Sequence, residues 1–303
     1  MNIMSRWTRW LPVAIPYLWS FVFFLLPFVI VLRISFSNAE LAMPPFSPVF
    51  DPIADGVSGT FAHFKEFTLD GYNRLVTDSV YLRSYLSSVQ IAALSTCLTL
   101  LIGYPIAYAM ARAPDRWRAT LLMLIILPFW TSFLIRIYAW MGILATDGFL
   151  NNLLVWLHII KQPLQIMQTN WAVYIGIVYS YLPFMILPLY STLEKMDNTL
   201  LEAAEDLGSP PTKSFWTITF PLSLPGVIAG CFLVFIPVVG EFVIPDLLGG
   251  TRTLMIGKVL WDEFFTNSDW PLASAVAICL LVLLVGPIAL FQRQQAKTLE
   301  PVK

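Results

Sequence analysis

Long apolar segments that lack charged residues recur along this chain of 303 residues. A helix needs about 20 consecutive, mostly apolar residues to cross the hydrocarbon core of a bilayer. Six segments meet this requirement, although Arg136 interrupts the third of them. The predicted spans are about 11–32, 84–111, 119–143, 171–193, 221–245 and 271–291.

The spans are predicted to be helical, because only α-helices and closed β-barrels satisfy their backbone hydrogen bonds inside lipid. Barrel strands would give stretches of roughly ten residues with alternating hydrophobicity, and the sequence contains none. We therefore expect an all-α integral membrane protein in which residues 1–303 form one transmembrane domain. Arg6 and Arg9 precede the first apolar segment as in a signal peptide, but no small-residue cleavage motif follows, which favours a retained span.

The composition supports a membrane protein and narrows its class. Hydrophobic residues make up 57% of the chain and charged residues only 12%, against about 25% charged residues in an ordinary soluble domain. Too few charged side chains are present to solvate the surface of a soluble protein. The net charge of −1 gives no field that would attract nucleic acid.

The distribution of Lys and Arg predicts the orientation in the membrane. The N-terminus, residues 112–118, residues 194–213 and the C-terminal tail together carry ten of these residues. The opposite loops carry six, together with eleven acidic residues. Because cytoplasmic loops are enriched in Lys and Arg, both termini are predicted to lie in the cytoplasm.

The sequence offers little for catalysis, metal binding or nucleotide binding. Its two histidines, His63 and His158, are too far apart to suggest a metal site. Gly257 and Lys258 are followed by Val259, whereas a Walker A loop requires Ser or Thr there. We expect no metal and no cofactor in this chain, and a membrane-embedded enzyme is disfavoured because the spans contain no His and no acidic pair.

The predicted cytoplasmic segment 197–221 between spans four and five has the pattern of two short helices. Thr199 and Glu202 have the spacing of a capping box. Gly208 is suited to the positive φ of a helix C-terminus, and Ser209 to capping a second helix. Leu200, the small residues after it and Leu207 fall on one face, which would let a partner approach closely.

This segment resembles the "EAA" motif of bacterial ABC importer permeases. The motif has Glu-Ala-Ala, a Gly after three more residues, and a Pro-containing end before the next span. The matching positions in this sequence are Glu202, Ala203, Ala204, Gly208, Phe215, Ile218, Pro221 and Pro225. The resemblance implies the type I importer permease fold and a multi-pass location in the bacterial inner membrane.

The resemblance also implies partners and a role for each coupling residue. In the family this segment docks on a separate ATPase subunit, where Glu202 would pair with a basic residue while Ala203 and Ala204 allow close approach. Gly208 would act as a hinge. The implied assembly contains a second permease subunit, two ATPase subunits that bind ATP and Mg, and a periplasmic substrate-binding protein. The competing interpretation is that Glu202 only caps its own helix.

Two further stretches are similar to the putrescine/spermidine branch of these permeases. They are Leu127–Arg136 in span three and Gly240–Gly250 at the end of span five. The resemblance implies a polyamine as the cargo that is imported by alternating access. Other small solutes, such as an amino acid or an anion, remain as alternatives, and an ion channel without an ATPase is a less favoured one.

A polyamine pathway requires carboxylates and aromatic ring faces, because its cargo carries ammonium groups. Glu241 is the first candidate carboxylate, although solvation at the interface or pairing with Arg136 would equally explain it. Asp246 is a second candidate and is also consistent with an ordinary loop carboxylate. Arg136 itself argues against a cation site in its neighbourhood.

Two aromatic residues are candidates for the same pathway. Trp130 lies halfway along span three, away from the interfacial belts, and follows the helix-kinking Pro128. Bundle packing is its alternative role. Tyr179 and Tyr181 lie on span four, and since they point apart on a helix, at most one of them would line a given cavity. We select Tyr179 as the candidate from this span that lines the pathway.

Overall fold

The computed structural model describes residues 14–49, 64–251 and 253–299. This part of the chain is mostly helical, as predicted. Its one described sheet is a small antiparallel hairpin, in which β1 (Asn38–Ala39) pairs with β2 (Phe46–Ser47). Residues 11–13 of the predicted first span, both termini, His63 and Arg252 lie outside the described residues.

The helices of the described residues are numbered here in chain order. They are α1 (Ala14–Ile34), α2 (Asp70–Thr77), α3 (Ser79–Arg112), α4 (Asp115–Ile126), α5 (Phe133–Leu144), α6 (Phe149–Trp156), α7 (Asn170–Glu194), α8 (Thr199–Asp206), α9 (Pro211–Val239), α10 (Val243–Leu247), α11 (Ile256–Trp261) and α12 (Trp270–Leu299). Short 3-10 turns occur at Phe64–Glu66 and Leu127–Trp130, and π turns at Phe21–Leu25, Phe215–Thr219 and Asp262–Thr266.

Five helical segments in the described residues are long and apolar enough to cross a membrane. They are Ala14–Ile34, Ser79–Arg112, Phe133–Trp156, Asn170–Glu194 and Pro211–Val239. The predicted sixth span, 271–291, corresponds to α12, whose shorter apolar portion is Trp270–Gly286. A sixth crossing therefore stays a prediction, and so does the cytoplasmic location of the termini.

The third apolar segment differs from the predicted continuous span 119–143. Its helix ends at Ile126, passes through the 3-10 turn Leu127–Trp130 and restarts only at Phe133. Thr131 is extended, and its hydroxyl donates to the Pro128 carbonyl at 2.8 Å. Such side-chain bonds offer the backbone an alternative to the helix, and Pro128 itself lacks a donor. The spanning segment thus begins at the break and takes in α5 and α6.

The fifth apolar segment also differs from its predicted range, 221–245. The π turn at Phe215–Thr219 leads directly into the membrane helix, so α9 begins at Pro211. It ends at Val239 because Gly240 leaves helical geometry with ψ 6°. Glu241 therefore lies in the short connection before α10 and not inside the membrane helix.

The chain divides into two compact units, Met1–Leu82 with Val259–Lys303 and Arg83–Lys258. In the first unit α12 packs against α1 and α2. Arg74 and Asp269 form an ion pair at 3.3 Å there. In the second unit α7 and α9 form the main helix pair. The prediction of one transmembrane domain over residues 1–303 stays a prediction.

Candidate functional site

The second unit contains a largely apolar cavity of about 650 Å³ between the start of α5, the middle of α7 and the end of α9. We call it the Glu241 cavity. Its lining residues are Phe129, Phe133, Arg136, Ser180, Tyr181, Phe184, Phe232, Leu233, Ile236, Pro237 and Glu241. The break before α5 and the early end of α9 both open onto this space, so the two departures from regular helix shape its wall.

Glu241 supplies the carboxylate of this cavity and is only 9% exposed. Its Oε1 accepts hydrogen bonds from the backbone N–H groups of Val243 at 3.0 Å and Ile244 at 3.5 Å. Its Oε2 accepts a hydrogen bond from the Tyr181 hydroxyl at 2.5 Å. The negative charge therefore lies at the N-terminus of α10, where unpaired N–H groups favour an anion.

Arg136 lies in the same cavity but does not pair with Glu241. Its guanidinium carbon lies 5.3 Å from the ring centroid of Phe129 and 5.7 Å from that of Phe133. Its buried Nε has no hydrogen-bond partner, and Arg136 forms no ion pair with any residue that the structure describes. The guanidinium is thus held over ring faces instead of by a carboxylate.

Ser180 brings a second unsatisfied polar group to the cavity. The residue is 4% exposed, and within the described chain its Oγ has no hydrogen-bond partner. Buried polar atoms are almost always paired, so unpaired ones at one cavity mark a place where a ligand, water or partner group completes the network. A hydroxyl can accept a hydrogen bond from an ammonium group.

The two tyrosines of α7 point apart as predicted, and it is Tyr181 that reaches Glu241. Tyr179 packs edge-on against Trp140 with ring centroids 5.3 Å apart. It lines a separate apolar hollow of about 390 Å³. Residues two apart on a helix differ by about 200° in direction. The structure therefore brings Glu241 together with Tyr181 and not with the selected Tyr179.

Trp130 and Asp246 also lie away from the Glu241 cavity. Trp130 ends the 3-10 turn and is 72% exposed, while its neighbour Phe129 lines the cavity. Asp246 pairs with Lys258 at 2.9 Å and lines a different, polar cavity of about 820 Å³. Of the four candidate pathway residues, only Glu241 thus lines this cavity.

The predicted helix at the coupling segment is α8, but its N-terminal cap differs from the predicted one. Thr199 is the first helical residue and does not cap it. Instead the Asp197 carboxylate accepts the backbone N–H of Thr199 at 2.9 Å. This hydrogen bond lowers the pKa of the Asp197 carboxyl below its ordinary value. Likewise Ser209 does not cap the next helix, which begins at Pro211.

Gly208 adopts the predicted positive φ, at +76°. Its N–H donates to the Glu205 carbonyl at 2.8 Å, and the N–H of Ser209 donates to the Ala204 carbonyl at 2.9 Å. This pair of bonds defines a Schellman motif, which ends α8 and turns the chain. The conformational prediction for Gly208 is confirmed.

The exposed residues of α8 and of the turn after it include both charged and apolar side chains. We call the exposed residues Leu200, Glu202, Ala203 and Leu207 the coupling surface. Leu207 is 89% exposed. Within the described residues, the Glu202 carboxylate forms no hydrogen bond or ion pair, so it does not cap its own helix. Its charge is available to a partner.

Comparison with known proteins relates this geometry to a transport family. The family model "Binding-protein-dependent transport system inner membrane component" matches residues 103–298, which contain both the Glu241 cavity and the coupling surface. "Spermidine/putrescine transport system permease protein PotB" of Haemophilus influenzae is 39% identical over 293 residues, covering 97% of this chain and 96% of that protein. The Escherichia coli protein of the same name is 47% identical over 218 residues, covering 72% and 79%.

Solved structures support the fold. A crystal structure of a bacterial ABC transporter involved in the import of the acidic polysaccharide alginate matches with a TM-score of 0.70 at 14% identity, covering 98% of both chains. The alginate transporter in complex with a pentasaccharide-bound periplasmic protein matches with a TM-score of 0.70 at 15% identity, covering 100% and 99%. The chain therefore belongs to the family of binding-protein-dependent transport system inner membrane components, which makes it a transport permease of the inner membrane and not an enzyme.

Proposed function

We propose that this chain is the permease subunit of an ATP-driven importer that moves putrescine, spermidine or both from the periplasm to the cytoplasm. The observation that carries this proposal is the 39% identity, over 97% of the chain, to a permease named for spermidine and putrescine transport. At this coverage the relationship extends across nearly every segment discussed above.

The chemistry of the Glu241 cavity supports a cationic cargo. Polyamines are ammonium groups joined by methylene stems, and they need a negative charge, ring faces and apolar walls. Glu241 supplies a carboxylate, and Phe184 and Phe129 supply aromatic rings with centroids 5.3 Å apart. Ring faces attract cations by about 0.5–2 kcal/mol each, depending on desolvation. The unpaired Ser180 hydroxyl adds an acceptor.

We infer an assembly in which this chain is joined by a second permease subunit, two ATPase subunits and a periplasmic binding protein. ATP and Mg bind to the ATPase subunits, because this chain has no Walker A loop. In this proposal the chain has six spans and both termini lie in the cytoplasm, so segment 197–221 faces the ATPases. The structural relative solved with a periplasmic protein supports a binding-protein partner on the opposite side.

The coupling surface transmits the state of the ATPase in this proposal. Glu202 pairs with a basic residue of the ATPase subunit. Ala203 and Ala204 allow that subunit to approach closely, and Gly208 provides the turn after α8. Rigid-body rocking of the permease pair then exposes the cavity to one side and afterwards to the other. The unpaired carboxylate of Glu202 and the exposed Leu207 support this role, since both gain from a docking partner.

One observation favours a second candidate cargo. Arg136 gives the Glu241 cavity a positive charge as well as a negative one, which is the combination that suits an amino acid. An amino acid carries both an ammonium and a carboxylate group. The same importer with an amino acid cargo is therefore the alternative.

The deciding experiment reconstitutes the complete complex in proteoliposomes and measures ATP hydrolysis and uptake. Its binding protein is added without ligand or loaded with putrescine, spermidine or glutamate. Stimulation of hydrolysis and uptake by a polyamine alone is the expected result. Stimulation by glutamate alone would replace polyamine by the amino acid alternative.

A further inference from the structure

The Glu241 cavity contains a cation of its own. The guanidinium of Arg136 lies over the rings of Phe129 and Phe133, at 5.3 Å and 5.7 Å from their centroids. These rings belong to the same cavity wall as the Glu241 carboxylate. A ring face near a carboxylate is where an ammonium group of the cargo would bind, so the protein already fills this place with a cation.

Arg136 lacks the carboxylate partner that three other cations of the described residues have. Arg74 pairs with Asp269 at 3.3 Å, Arg118 with Asp115 at 3.1 Å, and Lys258 with Asp246 at 2.9 Å. Arg136 has no such carboxylate, and its buried Nε is unsatisfied. A guanidinium that only ring faces hold can move when a second cation enters.

From this arrangement we propose that Arg136 is a tethered competitor of the cargo, which limits the affinity of the Glu241 cavity so that a polyamine is released after the cavity opens inward. The inference rests on the proposed function, because it takes the cargo as a cation. Arg136 thereby limits the affinity for the cargo and sets its release rate without being the group that attracts it.

Electrostatics explains the effect. One carboxylate and one guanidinium leave the cavity without net charge, so an entering ammonium group gains attraction to Glu241 and meets repulsion from Arg136. Both interactions are strengthened in an apolar cavity, where the effective dielectric constant is lower than in water. A transport pathway needs binding that is strong enough for entry and weak enough for exit. The guanidinium of Arg136 weakens binding enough for the cargo to leave.

The test measures putrescine binding to the assembled complex without the binding protein, by calorimetry, together with the maximal uptake rate in proteoliposomes. Arg136→Gln removes the charge and is expected to tighten putrescine binding by about tenfold, while slowing maximal uptake severalfold because release is delayed. Arg136→Lys keeps the charge and is expected to retain wild-type affinity and rate. The matched control is Lys258→Gln, which removes a cation from the other cavity and is expected to change neither quantity.

Unchanged or weaker putrescine binding by an intact Arg136→Gln complex would overturn the inference, as would an Arg136→Lys variant that behaves like Arg136→Gln. If the Arg136→Gln complex does not assemble, nitrogen NMR of the wild-type complex with isotope-labelled arginine tests the inference instead. A putrescine-induced shift of the Arg136 guanidinium signal supports displacement, and an unmoved signal contradicts it. A wild-type complex that imports no polyamine at all would overturn the proposed function itself. This outcome distinguishes a failure of the proposed function from a failure of the inference about Arg136.

Discussion

At the scale of single residues, Glu241 combines a structural role with an open position for cargo. Its carboxylate accepts bonds from Val243, Ile244 and Tyr181. A carboxylate offers about four acceptor positions, so about one stays free on a residue that lines the cavity. The residue is thereby fixed in place before any ligand arrives, and little ordering is required when an ammonium group binds.

Replacing Glu241 by Gln tests this assignment. Gln keeps a carbonyl oxygen for the α10 N–H groups and removes the charge, so the fold is expected to survive. Uptake of putrescine is expected to fall by about 10- to 100-fold, since hydrogen bonds to charged groups contribute about 1.5–3 kcal/mol. Asp246→Asn is the matched control, because Lys258 already neutralises Asp246. Radiolabelled uptake that fell equally in both variants would contradict a specific role for Glu241.

Gly208 can be tested at the same scale. A Cβ at this position would meet no atom within 4 Å, so only the positive φ opposes substitution. Gly208→Ala is expected to cost about 1 kcal/mol and to misdirect the chain after α8, lowering cargo-stimulated ATP hydrolysis. Gly208→Asn is the matched variant, since Asn tolerates this conformation, and it is expected to retain more stimulation than Ala. Equal hydrolysis rates for the two variants would show that the turn geometry is not required.

Residue-level prediction from sequence succeeded where the local pattern carried the information. The position of Gly208 after a short helix predicts positive φ without any tertiary contact. The choice of Tyr179 over Tyr181 had no such basis, because α7 has apolar residues on every face and its rotation depends on packing against α9. The capping prediction at Thr199 was wrong because Asp197, two residues earlier, supplies a competing carboxylate.

At the scale of helices, close approach of α7 and α9 forms one wall of the Glu241 cavity. Glycines make this possible: Gly226 and Gly230 lie four residues apart on one face of α9. A Cβ at Gly226 would lie 3.0 Å from the Pro188 carbonyl oxygen, and one at Gly230 would lie 2.7 Å from the Met185 sulfur. Small residues at this spacing are typical of membrane helix contacts, where packing drives association.

Replacing Gly226 by Ala tests this close packing of α7 and α9. The added methyl group would lie 2.6 Å from the Thr192 hydroxyl oxygen, 2.9 Å from the Thr192 Cβ and 3.0 Å from the Pro188 carbonyl oxygen, so α7 must shift, and a cost of about 1–3 kcal/mol is expected. Gly142→Ala in α5 is the matched control, since a Cβ there meets nothing within 4 Å. That control is expected to be neutral or stabilising by about 0.5–1 kcal/mol. Thermal unfolding of the purified complex compares the two, and equal midpoints would exclude tight packing at Gly226.

Helix boundaries followed from sequence only where hydropathy and backbone chemistry agree. The predicted range 171–193 lies within α7, Asn170–Glu194. The predicted range 119–143 crosses the break at Thr131 and Ser132, because a hydropathy window does not register a hydroxyl that bonds to the backbone. In the same way Gly240 ends α9 inside a stretch that is still apolar, which is why Glu241 lies outside the helix.

At the scale of the whole molecule, function depends on what the coupling surface meets. It combines an unpaired carboxylate at Glu202 with exposed apolar groups at Leu200 and Leu207. The segment is also tied to α3, since Arg112 donates to the Asn198 side chain at 2.8 Å. A force applied to α8 by a partner therefore has a direct path into a membrane helix of the same unit.

A photo-crosslinking amino acid at Ala203 tests this arrangement in intact cells. Ala203 lies on the exposed face of α8, so the probe adds little strain, and it is expected to capture a nucleotide-binding subunit. The matched probe replaces the exposed Lys161, in the loop after α6, which the charge distribution assigns to the periplasmic side. That probe is expected to capture no ATPase, whereas a periplasmic protein is within its reach. ATPase capture from position 161 would contradict the inferred orientation in the membrane. Absence of ATPase capture from position 203 would contradict the coupling role, because a docking surface has to face the compartment that contains ATP.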